Sequence, residues 1–101
     1  MIIKKSVFEK LEAKYGRLTF GRFLRSWREA DELPQTKFAK RLGLSVQNLC
    51  DLEKGRRIPS SSRAAKIARK LGVGELPLIT LAVRDSLYAE GFKFDVKLIG
   101  A

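Results

Sequence analysis

The sequence predicts an all-α bundle of about five helices built around a helix-turn-helix, with an extra N-terminal helix and a short C-terminal β-strand. Three observations carry that expectation. Between Leu33 and Ser60 the chain reads LPQTKFAKRLGLSVQNLCDLEKGRRIPS, two short helical patterns separated by Gly43-Leu44-Ser45. Apolar residues recur at helical spacing through most of the remainder. Only after Gly91 does the period change to two.

The elements follow in order. Ser6 and Glu9 form a capping-box pattern, with Val7, Phe8 and Leu11 on one face and a stop at Gly16. Thr19 can cap a second helix whose Phe20, Phe23, Leu24 and Trp27 share one stripe, which marks them as core rather than as a stacking platform for bases. The helix-turn-helix pair comes next. Its first helix turns Phe38, Ala39 and Leu42 inward, and its second turns Leu49 and Leu52 inward. Gly43 supplies the positive φ that follows a helix C-terminus, Leu44 plugs the space beneath both helices, and the Ser45 hydroxyl caps the second helix.

After the loop from Gly55 to Pro59, a helix starts at Ser60 or Ser61, places Ala64, Ile67, Ala68 and Leu71 inward and ends at Gly72. A further helix, Glu75 to Glu90, tolerates Pro77 in its first turn and is apolar around most of its circumference, so it calls for a second packing partner. Phe92, Phe94, Val96 and Leu98 then alternate with Lys93, Asp95 and Lys97, the pattern of a half-buried strand that would pair with another chain. Three segments result: a helical extension over 1–18, the helix-turn-helix domain over 19–73, and a helix and strand over 74–101 that serve dimerisation.

Of the formal net charge of +10, residues 19–73 carry most, with thirteen basic and five acidic side chains. Residues 74–101 carry three basic and four acidic ones. A concentrated basic surface attracts phosphate or an anionic membrane. One cysteine permits no intrachain disulfide and suits a reducing cytoplasm. The absence of histidine removes imidazole ligands and the usual general base, and a lone thiol cannot assemble a zinc site. No apolar run approaches a membrane span, and Met1 to Lys5 is too short for a signal peptide. The expectation is a cytoplasmic protein that is not an enzyme and carries no metal or other cofactor. Double-stranded DNA is its leading partner, because Val46, Gln47, Asn48, Cys50 and Asp51 are left for the outer faces of the second helix of the pair.

The region from about Phe20 to Leu71 resembles the Xre/Cro family of helix-turn-helix regulators, which includes the lambdoid phage repressors. Gln35, Phe38-Ala39, Leu42-Gly43-Leu44-Ser45, Leu49, the run Leu52 to Pro59 and Lys66-Ile67-Ala68 carry the resemblance. It implies a lambda repressor-like fold whose helix from Ser45 to Glu53 enters the major groove. Val46, Gln47, Asn48 and Asp51 would then meet base edges, while Gln35, Ser45, Lys54, Arg56 and Arg57 would hold phosphates. By chemistry, Gln47 suits adenine N6/N7, Asp51 suits cytosine N4, and Val46 suits a thymine methyl.

Alternatives stand beside several of these assignments. Asp51 can instead pair with Arg56 or Arg57, and Glu53 with a first-helix arginine such as Arg22 or Arg25. Cys50 serves as a small filler. Pro34 stands where the family places a Ser or Thr cap and offers no side-chain acceptor. The expected function is that of a dimeric repressor on an inverted-repeat operator, with Leu78, Leu81, Phe92, Phe94, Val96 and Leu98 at the dimer interface. The alternative is an antitoxin that binds a toxin protein and represses its own promoter.

Overall fold

Side-chain hydroxyls set where three of the helices begin. A computed structural model describes residues 16–100, which form α1 (Phe20–Ala30), α2 (Gln35–Leu42), α3 (Val46–Glu53), α4 (Ser61–Leu71) and α5 (Glu75–Ala89). Thr19 accepts from Arg22 N at 3.1 Å, Ser45 from Asn48 N at 3.1 Å and Ser60 from Arg63 N at 3.2 Å, each satisfying a donor that its helix leaves free. The start of α1 gains a second acceptor from a distant element, because Phe20 N donates to the buried Asp85 carboxylate of α5 at 2.8 Å. Two of the helices end on a left-handed glycine, Gly43 (φ 70°) after α2 and Gly72 (φ 73°) after α4. The helix expected after Ser6 falls outside the described residues.

One core joins all five helices. Phe20, Leu24, Phe38, Leu49, Leu52 and Ile67 are its largest fully buried side chains, with Leu71, Leu78 and Leu81 closing it on the α4–α5 side. Phe23 and Trp27 pack against it at the margin, their ring centroids 5.8 Å apart. The aromatic stripe of α1 is therefore packing surface.

The C-terminal region departs from the expectation in two ways. Leu78 and Leu81 are core residues of their own chain and have no surface left for a dimer partner. The reason is that α5 packs against both α4 and α1, so two of its faces are covered from within. Residues 92–100 form no strand. A strand needs a ladder to receive its backbone groups, and among the described residues no second strand is present. The period-two pattern survives only as side-chain placement: Phe92 and Phe94 lie on one side with their rings stacked, centroids 6.1 Å apart, and both are exposed.

The backbones of α1 and α3 approach closely. A β-carbon added to Gly21 would lie 2.1 Å from the carbonyl oxygen of Leu52 and 2.9 Å from that of Glu53, so only glycine lets the two backbones approach this closely. One face of α1 makes the whole approach, since Gly21, Leu24 and Arg28 recur at helical spacing. Arg28 completes it as a fork on Glu53. Its Nε donates to Oε2 at 2.8 Å and its Nη2 to Oε1 at 3.0 Å, while the Glu53 side chain retains only 3% exposure.

Both contacts make predictions for thermal and denaturant unfolding of the full chain. Gly21→Ala should destabilise by about 1–3 kcal/mol through overpacking, although alanine favours a helix interior by ~1 kcal/mol. Glu53→Ala should cost about 3 kcal/mol by stranding the Arg28 guanidinium. An alanine at position 21 that leaves stability unchanged or raises it would show that the backbones do not meet this closely.

Candidate nucleic-acid interface

The second helix of the pair, α3, is divided sharply between buried and exposed faces. Leu49 and Leu52 are fully buried, and Glu53 lies beneath α1. Val46 keeps 42% of its surface although it is aliphatic, Gln47 is exposed, and Asn48, Cys50 and Asp51 are partly exposed. The residues expected to meet bases thus share the outer side of one helix, with Ser45 exposed at its start and Lys54, Arg56 and Arg57 exposed just beyond its end.

A buried polar network holds this helix in place. Glu53 receives the Arg28 fork and also a bond from Gln35 Nε2 to Oε1 at 3.1 Å, while Arg28 Nη1 donates to the carbonyl of Leu33 at 3.0 Å. The end of α1, the turn before α2, the start of α2 and the end of α3 are thereby tied at one carboxylate. The hydrogen bonds from Arg28 to Glu53 raise the guanidinium pKa above its already high ordinary value, outweighing the opposing effect of burial. The Arg28 guanidinium therefore stays charged at any pH the fold would meet.

The network changes two assignments made from sequence. The partner of Glu53 is Arg28, not Arg22 or Arg25. Arg22 and Arg25 point off the α1 face that meets α3; Arg25 pairs with Glu29 at 2.8 Å, and Arg22 Nη1 reaches the carbonyl of Arg17 at 3.4 Å. The Gln35 amide, expected to reach a phosphate, donates inward to Glu53. At its start α2 offers outward the exposed Thr36 and Lys37 side chains together with its first backbone N–H groups, which Pro34 leaves without a side-chain cap.

At the far end of α3, Asp51 organises the loop. Its carbonyl accepts from Arg56 N at 2.9 Å and from Arg57 N at 3.2 Å, and its carboxylate accepts from Arg56 Nε at 3.1 Å and from Gln47 Nε2 at 3.0 Å. Of the two alternatives for Asp51, the ion pair with Arg56 is formed. Cys50 Sγ lies 3.7 Å from Arg56 Nη2.

Sequence reasoning missed Gly21, whose signal is a glycine inside an otherwise helical pattern. It also missed Asp85, which caps α1 and pairs with Arg17 at 2.7 Å. Beside this junction runs a groove of about 430 Å³, bordered by Arg17, Arg22, Lys54, Arg57, Asp85 and Tyr88, which continues the basic rim from the α3–α4 loop towards the start of α1. Among the described residues no three His, Cys, Asp or Glu side chains gather where they could hold a metal ion, and no helix is long and apolar enough to cross a membrane.

Comparison with known proteins agrees with this geometry. A family model described as a helix-turn-helix domain matches residues 19–78, which run from the Thr19 cap through α4 to the first turn of α5. No curated protein and no solved structure matches the chain. The match covers more than half of the sequence and takes in the whole α2–turn–α3 unit. The chain belongs to the helix-turn-helix domain family.

Proposed function

We propose that this protein is a sequence-specific DNA-binding transcriptional regulator of the Xre/Cro type, acting as a dimeric repressor on an inverted-repeat operator. One observation carries the reading. A helix buried on one side and locked by Glu53 presents Val46, Gln47 and Asn48 outward, with three cationic side chains immediately after it. In the major groove, Gln47 suits adenine N6/N7, Val46 suits a thymine methyl, and Asn48 meets a flanking base. Lys54, Arg56 and Arg57 neutralise phosphates beside the site. Ser45 and the open backbone N–H groups of α2 face the same strand of phosphates.

Dimerisation rests on the tail. Phe92, Phe94 and Ile99 retain 49%, 61% and 79% of their surface, an exposure costly for a lone chain and suited to a second copy. A two-fold pair would set two copies of α3 about one DNA turn apart, so half-site centres should lie roughly 10 bp apart or at a multiple of that spacing. The alternative is an antitoxin that binds a toxin protein and represses its own promoter; the surface expected for that partner, Lys4 to Tyr15, lies outside the described residues.

DNA affinity should fall steeply with salt. Replacing Arg56 and Arg57 by alanine should weaken specific and random duplexes alike and flatten the log–log salt slope by about two units, close to one per lost phosphate contact. Fluorescence titration across a salt series checks this, and a salt-insensitive wild type contradicts it. A chain ending at Glu90 should still fold, because the core is complete without the tail, yet it should sediment as a monomer and lose most operator affinity. Undiminished operator binding by the shortened chain would remove the tail from the interface.

A further inference from the structure

Two donors converge on one carboxylate oxygen at the outer edge of α3. Gln47 Nε2 lies 3.0 Å from Asp51 Oδ1, and Arg56 Nε lies 3.1 Å from the same atom. The Asp51 side chain retains 20% exposure against 57% for Arg56, so the carboxylate sits beneath the groups it holds. Gln47 and Asp51 are four residues apart and therefore neighbours on one helix face. The backbone strengthens the arrangement, since the Asp51 carbonyl accepts from both Arg56 N and Arg57 N and fixes where the arginine enters.

The chemistry of these groups leaves one orientation. A carboxylate only accepts and a guanidinium only donates. Asp51 must therefore meet the NH₂ end of the Gln47 amide, which leaves one Nε2–H and Oε1 for an outside partner. A donor beside an acceptor in that order complements adenine, whose N7 accepts and whose N6 donates, whereas guanine offers two acceptors on the same edge. Reversing the amide would exchange donor and acceptor and present the wrong order to the same base. The rotamer freedom that an unrestrained glutamine loses on binding has already been lost here.

We infer that Asp51 is a positioning residue for base recognition: its carboxylate, itself held by Arg56, sets the Gln47 amide in its reading orientation and contacts no base. The inference rests on α3 being the major-groove helix. It replaces the cytosine contact expected for Asp51, while the Asp51 backbone carbonyl, which an alanine retains, fixes where Arg56 enters.

The test uses the full chain and a duplex selected by it from a random pool. Competition among four duplexes varied at the base pair that Gln47→Ala relaxes reads the preference directly. A bidentate contact gives about 5- to 150-fold discrimination. Asp51→Ala should remove most of it while affinity for random duplex stays level or rises, since a negative charge leaves the interface. In the Gln47→Ala background the same change should have no further effect on that base pair. Asp51→Asn should restore the preference, because Arg56 Nε keeps the asparagine oxygen turned inward as the acceptor for Gln47.

Full preference retained in Asp51→Ala overturns the inference. So does a parallel loss of specific and random affinity together with a lower Tm, which marks a purely structural role. If Gln47→Ala relaxes the base pair and Asp51→Ala does not, only this inference fails. If the wild-type chain prefers no base anywhere, the DNA-reading assignment fails with it.

Discussion

The bidentate ion pair between Arg28 and Glu53 is the constraint on which the arrangement of the first three helices depends. A carboxylate left with 3% exposure is expensive unless every oxygen is satisfied, and here Arg28 and Gln35 satisfy both. The three participants come from three helices, so the network is complete only when α1, α2 and α3 adopt one mutual geometry. Apolar packing of Leu24, Phe38, Leu49 and Leu52 supplies the main driving force but tolerates small slides. The fork does not, because two parallel N–H···O bonds fix angle as well as distance. Gly21 belongs to the same constraint: without a β-carbon there, the α1 backbone comes close enough for Arg28 to reach.

From that fixed frame the outer side of α3 inherits its use. Arg28 and Gln35 draw α3 inward at Glu53, and the outward side chains of α3 and its flanks lie between Ser45 and Arg57. Asp51 plays at the surface the part that Glu53 plays within, a single acceptor that gathers donors from a helix and from the segment that follows it. The difference is solvent. The inner network is shielded and contributes to stability, whereas the outer one is exposed, contributes little to stability, and serves to orient.

Much of this was legible in the residues. Thr19, Ser45 and Ser60 announce helix starts because a hydroxyl before an apolar period has one obvious local use, and Gly43 and Gly72 announce stops for a similar reason. The outward set on α3 followed from Leu49 and Leu52 taking the inward positions. What failed depended on contacts between elements. Arg22, Arg25 and Arg28 are chemically equivalent in a sequence, and only the Gly21–Leu24–Arg28 face, defined by where α3 lies, selects among them. Gln35 has a donor that serves phosphate or Glu53 equally well until the distance is known. Leu78 and Leu81 read as surplus because the sequence does not say that α1 also covers α5. The alternation from Phe92 to Leu98 describes side-chain spacing, and a strand requires a partner ladder that local spacing does not provide.

The proposed DNA reading requires the outer face of α3 to lie in the major groove. Groove-resolved methylation interference on the selected duplex tests it most directly, since guanine N7 lies in the major groove and adenine N3 in the minor. N7 methylation at guanines within the half-sites should block binding, while N3 methylation of adenines there should leave it intact. Interference confined to adenine N3, or none at either position, would contradict that reading.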